Sequence, residues 1–315
     1  MPDETPFVRP DVAAVLKMMA ASEQPPLDTL PLDQARRAMD GMQELVELPA
    51  HDLAVIEDLA CPGPAGDIPL RLYDARDVRA PGPVILFIHG GGFVIGDLDS
   101  YHNLCTEIAL RTDLPVLSVD YRLAPENPFP AAPDDVEAAA RWAAGSPTAL
   151  GRVVTGLIPM GDSAGGNLTL VTTQSLMLQP ATVPVIAQVP LYPLTDDIAG
   201  HPSYTEFGEG YLLTSRAMKW FTECYNPTPG DRRNLPILGP LENTPPTILA
   251  TAGLDPLRDS GRNFAARLIQ AGCDVTYLEM SGNIHAFANL RKAIPSAQKD
   301  LLAILGALKN TLERL

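Results

Sequence analysis

The hydrophobic pattern changes character once along the chain, near residue 50. Before that point apolar residues recur at three- and four-residue intervals. Val12, Val15, Leu16 and Met19 make one stripe behind Asp11, an N-cap candidate, and Ala35, Met39, Met42, Leu45 and Val46 make a second. Pro25, Pro26 and Pro31 separate them, so two helices are expected ahead of any strand. Met18, Met19, Met39 and Met42 would give these helices a pliable inner face, although a plain packing stripe explains them equally well.

Beyond that point the period shortens. Leu53–Leu59 and Ile68–Tyr73 partly alternate across a turn with Gly63, Pro64 and Gly66, which suits an antiparallel edge pair. Val84–His89 and Pro115–Asp120 are almost continuously apolar, as strands covered on both faces are. Further strands are expected at Gly156–Met160, Val183–Pro190, Thr247–Ala252 and Val275–Met280. Helical stretches fall at Tyr101–Arg111, Pro133–Ala144 (with Asp134 and Asp135 as caps), Asn167–Leu178 and Ile294–Leu312. This alternation predicts an α/β fold whose mostly parallel central sheet has helices on both faces. Pro159 sits badly in it, because proline removes a ladder donor from a central strand.

Residues 194–244 hold no strand pattern but many Pro, Gly and aromatic side chains. So long an excursion is usually a lid or binding element. The expected division is therefore an N-terminal helical cap segment at 1–50, a core at 51–193 and 245–315, and a second cap insertion at 194–244.

The chemistry centres on Gly161-Asp162-Ser163-Ala164-Gly165, between an apolar run and a helix-compatible one. Strand, sharp turn and helix form the context in which Gly-x-Ser-x-Gly presents a nucleophilic serine. Such a serine needs a base, an orienting acid and an oxyanion hole. Only His201 and His285 follow Ser163. His285 lies in a short loop after the last strand, where α/β sheets carry reactive groups, and His201 lies in the excursion. Asp255, directly after the strand and turn Thr247–Leu254, is the favoured acid. Asp196 and Asp197 are its rivals, and Asp259 suits local capping or pairing. His89-Gly90-Gly91-Gly92-Phe93 follows the strand ending at Ile88. Bare glycine amides there can approach a substrate oxygen, so Gly91, Gly92 and Ala164 are the candidate oxyanion donors, with His89 as a brace for the loop. No Gly-Lys-Ser/Thr follows the glycines, which excludes a phosphate-binding P-loop. Phe93, Tyr192, Phe207, Tyr211, Leu212 and Phe287 are candidates to line a substrate pocket, each with core packing as the plainer role.

Composition narrows the field. A net charge of −15 argues against nucleic-acid and anionic-membrane partners. The four scattered cysteines include no C-x-x-C pair, which argues against zinc, dithiol chemistry and a disulfide framework. An acidic N-terminus without a signal-peptide pattern, and no apolar run of about 20 residues, lead to the expectation of a cytoplasmic protein.

HGGGF (89–93), YRLAPENPFPAA (121–132), GDSAGGN (161–167), DPLRD (255–259) and the His285 loop, in that order, resemble the hormone-sensitive-lipase-like carboxylesterases, the bacterial family IV esterases. The resemblance spans residues 50–310 or so. It implies an α/β-hydrolase fold with a helical cap, no cofactor, no metal, and hydrolysis of short- to medium-chain acyl esters, with a small-molecule ester as partner. By position it implies Ser163, Asp255 and His285 as the triad and Gly91, Gly92 and Ala164 as oxyanion donors. An amidase or deacetylase with the same triad is the alternative, followed by ligand binding on a hydrolase scaffold and lipase action on aggregated lipid. A homodimer is left open.

Overall fold

The computed structural model describes residues 6–315, apart from the side chains of Met39, Asp40, Met42, Gln43 and Glu44. The expectation for Met39 and Met42 therefore lies outside the described residues. Two helices, α1 (Pro10–Ala20) and α2 (Leu32–Val46), precede the first strand. Asp11 does not cap α1. Pro10, with its fixed φ and missing N–H, takes the first helical position, and Arg9 becomes the N-cap residue. The Asp11 carboxylate instead accepts the N–H of Ser296 at 2.8 Å.

The strands follow as β1 (Val55–Gly63), β2 (Gly66–Asp74), β3 (Gly82–Ile88), β4 (Val116–Val119), β5 (Val154–Asp162), β6 (Val189–Leu191), β7 (Thr247–Leu254) and β8 (Val275–Ile284). They form one sheet in the order β1-β2-β4-β3-β5-β6-β7-β8. β1 and β2 pair antiparallel at one edge, β2 runs antiparallel to β4, and all other neighbours are parallel. Between them come α3 (His102–Thr112), α4 (Ala131–Ala144), α5 (Ala164–Leu178), α6 (Pro202–Glu206), α7 (Ser215–Tyr225) and α8 (Arg258–Gln270), with α9 (Pro295–Leu312) last.

The two-residue period of the strands divides the core. Ile85 and Phe87 of β3 face a cluster shared with α1, α3 and α9, while Val84, Leu86 and Ile88 face one shared with α4 and α5. Leu249 of β7 packs with Phe264 and Leu268 of α8. Each such fully buried aliphatic or aromatic side chain contributes roughly 1.5–3 kcal/mol.

The expected strand at Val183–Pro190 shrinks to Val189–Leu191, with isolated bridges at Val185 and Gln188. Pro159 does lie inside β5, paired with Leu86 of β3. Leu157 N–H bonds toward the β6 side, to Pro184 O at 2.9 Å, so by the two-residue period Pro159 faces that side as well. Its missing donor falls where the neighbouring segment, carrying Pro184 and Pro190, leaves the ladder. Nor do Asp134 and Asp135 cap α4, which begins earlier, at Ala131. Asp135 binds the Arg122 guanidinium at 2.7 and 2.8 Å, and Asp134 binds Arg233 at 2.8 Å.

Among the described residues no strand lies between β6 and β7, as expected. α7 lies against the short turn at Leu27–Thr29, where Arg216 pairs with Asp28 at 2.6 Å. Arg36 of α2 donates to Val94 O and Ala124 O and pairs with Glu126. The two segments without strands thus touch each other, and Arg36 ties the first of them to Val94 in the loop that follows β3.

Candidate active site

Ser163 occupies the turn between β5 and α5, with φ 54° and ψ −115°, a backbone conformation costly for any residue with a Cβ. The positions two residues to either side, 161 and 165, must be glycine because β3 ends against them. A Cβ on Gly161 would stand 2.4 Å from Ile88 O, and one on Gly165 only 1.9 Å from the same oxygen. The turn is fixed by Ser163 N–H to Leu191 O and Asn167 N–H to Ser163 O, both 2.9 Å.

His285 stands at the end of β8 and Asp255 at the end of β7, two neighbouring parallel strands. His285 Nε2 lies 2.8 Å from Ser163 Oγ, and Nδ1 lies 2.7 Å from Asp255 Oδ2. Asp255 is fully buried and also accepts the Leu257 N–H at 2.8 Å. This geometry separates it from its rivals. Asp196 is engaged with His201 Nε2 at 3.0 Å and Asn263 at 2.8 Å, and Asp197 accepts the N–H of Ala199. Asp259 pairs with Arg258 and Arg262.

The glycine loop after β3 turns through φ 102° at Gly91, 60° at Gly92 and 65° at Phe93. Among the described residues, the N–H groups of Gly91, Gly92 and Ala164 find no protein acceptor. The loop is braced below. His89 Nδ1 bonds Gly90 O at 2.8 Å, the Tyr121 hydroxyl donates to His89 O at 2.9 Å, and the Tyr121 ring stacks on the imidazole at 4.2 Å. Burial pushes the His89 pKa down to about 4, which keeps it neutral near pH 7.

Of the expected pocket residues, Tyr192 and Phe287 come together beside the base. The Tyr192 ring meets His285 edge-on at 4.9 Å and Phe287 at 5.0 Å. Phe93 is buried and stacked on Tyr225 at 3.8 Å. Phe207 and Tyr211 pack edge-to-face at 5.3 Å with the Arg258 guanidinium over Phe207, and Leu212, at φ 76°, is half-buried against the same cluster. Sequence reasoning missed two neighbours of the site. Phe221 of α7 lies directly against Gly92. Asp162 sends its carboxylate under the glycine loop to the Gly90 N–H at 2.8 Å. Among the described residues no group of three or more His, Cys, Asp or Glu is placed to hold a metal ion, and no helix is long and apolar enough to cross a membrane.

Residues 85–289, which run from β3 through the His285 loop, match the model of an alpha/beta hydrolase fold family. The chain belongs to the α/β-hydrolase family. It is 35% identical over 316 residues, 97% of this chain and 99% of its relative, to an ethyl acetate hydrolase of Pseudomonas putida. It is 40% identical over 82% of its length to the carboxylic ester hydrolase LipN of Mycobacterium tuberculosis, covering 71% of that protein. Among solved α/β-hydrolase structures it resembles an ester hydrolase from the metagenome of Lake Arreo, solved with a bipyridine phosphonate derivative. That likeness has a TM-score of 0.90 at 35% identity and covers 98% and 100% of the two chains. A hyperthermophilic esterase of Pyrobaculum calidifontis superposes with a TM-score of 0.87 at 31% identity, covering 97% and 99%. These relatives bear out the resemblance to the hormone-sensitive-lipase-like carboxylesterases.

Proposed function

We propose that this α/β hydrolase is a serine carboxylesterase acting on short- to medium-chain acyl esters through an acyl-enzyme. The observation that carries the reading is the continuous relay from Asp255 through His285 to Ser163 Oγ, at 2.7 and 2.8 Å. The relatives support the ester as substrate class, since they are named as an ethyl acetate hydrolase, a carboxylic ester hydrolase and esterases.

In the proposed mechanism Asp255 accepts the His285 Nδ1–H and fixes the tautomer in which Nε2 can take a proton. His285 removes the Ser163 proton as Oγ attacks the ester carbonyl. The oxyanion is received by the unpaired amides of Gly91, Gly92 and Ala164, where the loss of one donor in another hydrolase costs roughly 2.7–4 kcal/mol. His285 returns the proton to the departing alcohol. Water then enters on the same base and releases the acid. No cofactor is needed for any of these steps.

Residues 1–50 and 194–244 are read as the cap over this site. Arg36 on the loop after β3 and Phe221 against Gly92 support that reading. A cytoplasmic location accords with four cysteines that are all free. Incubation with a fluorophosphonate tests the nucleophile. The reading expects one adduct per chain on the Ser163 peptide and none in Ser163→Ala; labelling elsewhere contradicts it.

A further inference from the structure

One buried carboxylate outside the triad touches the glycine loop, Tyr192 and the loop that carries His285. Asp162 immediately precedes Ser163 and is 1% exposed. Its Oδ1 accepts the Gly90 N–H at 2.8 Å, and its Oδ2 accepts the Tyr101 hydroxyl at 3.2 Å. Longer contacts of 3.4 Å reach the Tyr192 hydroxyl and Asn289 Nδ2. Asn289 lies four residues beyond His285, and the Tyr192 ring rests on the imidazole. The Gly90 N–H is shared with the Tyr101 hydroxyl at 3.0 Å.

Gly90-Gly91-Gly92 has no side chain with which to hold its own shape, and glycine is the residue with most conformational freedom to lose. The loop must therefore be fixed from outside. The bond from Gly90 fixes the His89–Gly90 peptide, the one immediately before the peptide that carries the Gly91 N–H, and its acceptor is covalently one residue from the nucleophile. We propose that Asp162 is a positioning residue, whose carboxylate sets the Gly91 and Gly92 amides relative to Ser163 Oγ and lends its negative charge to the His285 imidazolium. This inference rests on the esterase reading of the site and deepens it.

The electrostatic surroundings agree. Burial raises the Asp162 pKa to about 6, against the lowering influence of His285, the Gly90 N–H and the Tyr101 and Tyr192 hydroxyls. The other groups facing it are Tyr101, Cys105, Tyr121 and Tyr192, all pushed upward by burial and so neutral near pH 7. Asp255 acts on the far side of Tyr192.

Asp162→Asn keeps the size of the side chain and an acceptor for Gly90, while removing the charge and replacing with an NH2 the Oδ2 that accepts from Tyr101, Tyr192 and Asn289. With a p-nitrophenyl ester, kcat should fall by about ten- to a hundredfold, the range that an ångström-scale misplacement of reacting groups costs. KM should stay within about twofold, because the affected amides matter most in the transition state. The acid limb of kcat/KM should move to lower pH, on the order of half a unit, as the imidazolium loses a neighbouring charge. Tyr101→Phe keeps the charge and removes one support of the loop, so it should lower kcat severalfold and leave the acid limb in place. If Asp162→Asn does not fold, as judged by thermal unfolding, Tyr101→Phe carries the test through its kcat alone. An Asp162→Asn enzyme with kcat within twofold of wild type, or with an unmoved acid limb, overturns the proposal, as does a Tyr101→Phe enzyme with unchanged kcat. Ser163→Ala is assayed beside them. Turnover that survives in it overturns the esterase reading itself, whereas Ser163-dependent turnover indifferent to Asp162 overturns the positioning role alone.

Discussion

The ring of Phe221 lies so close above Gly92 that a methyl group placed on the glycine would come within 2.3 Å of it. One residue belongs to α7, in the strandless segment, and the other to the loop after β3. The contact puts an aromatic wall beside a proposed oxyanion donor. Phe221→Ala should widen that side and favour longer acyl chains. Each extra methylene accommodated is worth about 0.8 kcal/mol, or roughly fourfold in kcat/KM. The ratio of kcat/KM for p-nitrophenyl hexanoate to acetate reads this directly, and an unchanged ratio removes Phe221 from the pocket. Gly92→Ala meets both the ring and a φ of 60°, so kcat should fall on the order of a hundredfold while the fold is retained.

Two of the carboxylates considered for the acid role, Asp255 and Asp196, give opposite expectations. Asp255→Asn leaves the site intact in shape but offers His285 the wrong partner, a change that costs on the order of ten-thousandfold in kcat in a serine protease triad. Asp196→Asn touches His201 and Asn263, so kcat should stay within a few-fold of wild type. Steady-state kinetics of the pair decide the acid.

Away from the site, Glu107 of α3 ties His51, which follows α2, to Arg291 and Gln298 near the C-terminal end of the chain. Burial alone would raise its pKa. Bonds from Arg111, Gln298 and His51 and the charge of Arg291 outweigh burial and hold the carboxyl at about 2. A folded pKa below the unfolded value means that the folded state binds fewer protons. The stability Glu107 contributes is therefore complete above pH ~4.5 and is lost as pH falls from there toward 2. Wild type and Glu107→Gln, compared by thermal unfolding across pH, should differ most near neutrality and converge in acid. A difference that grows on acidification contradicts this account.

The relay was legible because each member sits where a periodic apolar run ends. Ser163 and Asp255 follow largely apolar strands, and His285 follows the last strand, whose Val275–Met280 run was readable from its β-forming residues. What escaped depended on contacts between distant segments. Phe221 reads as one apolar position of an amphipathic helix, and nothing local aims it at Gly92. Asp162 sits inside the serine motif, yet its bond to Gly90 joins residues 72 apart in sequence. Local signals also competed. Asp11 reads as a cap in the sequence, but Pro10 takes the first helical position, and Pro184 and Pro190 reduce the run at 183–190 to a short strand with isolated bridges. Pro159 proved compatible with a central strand because its neighbour leaves the ladder at that point.

The most direct test is hydrolysis of p-nitrophenyl esters from acetate to palmitate by the wild-type protein and by Ser163→Ala. Turnover that peaks at short to medium chains and disappears in the folded variant is the predicted result. Folded wild-type protein that cleaves none of these esters, or a Ser163→Ala variant that cleaves them as well as wild type, would contradict the assignment.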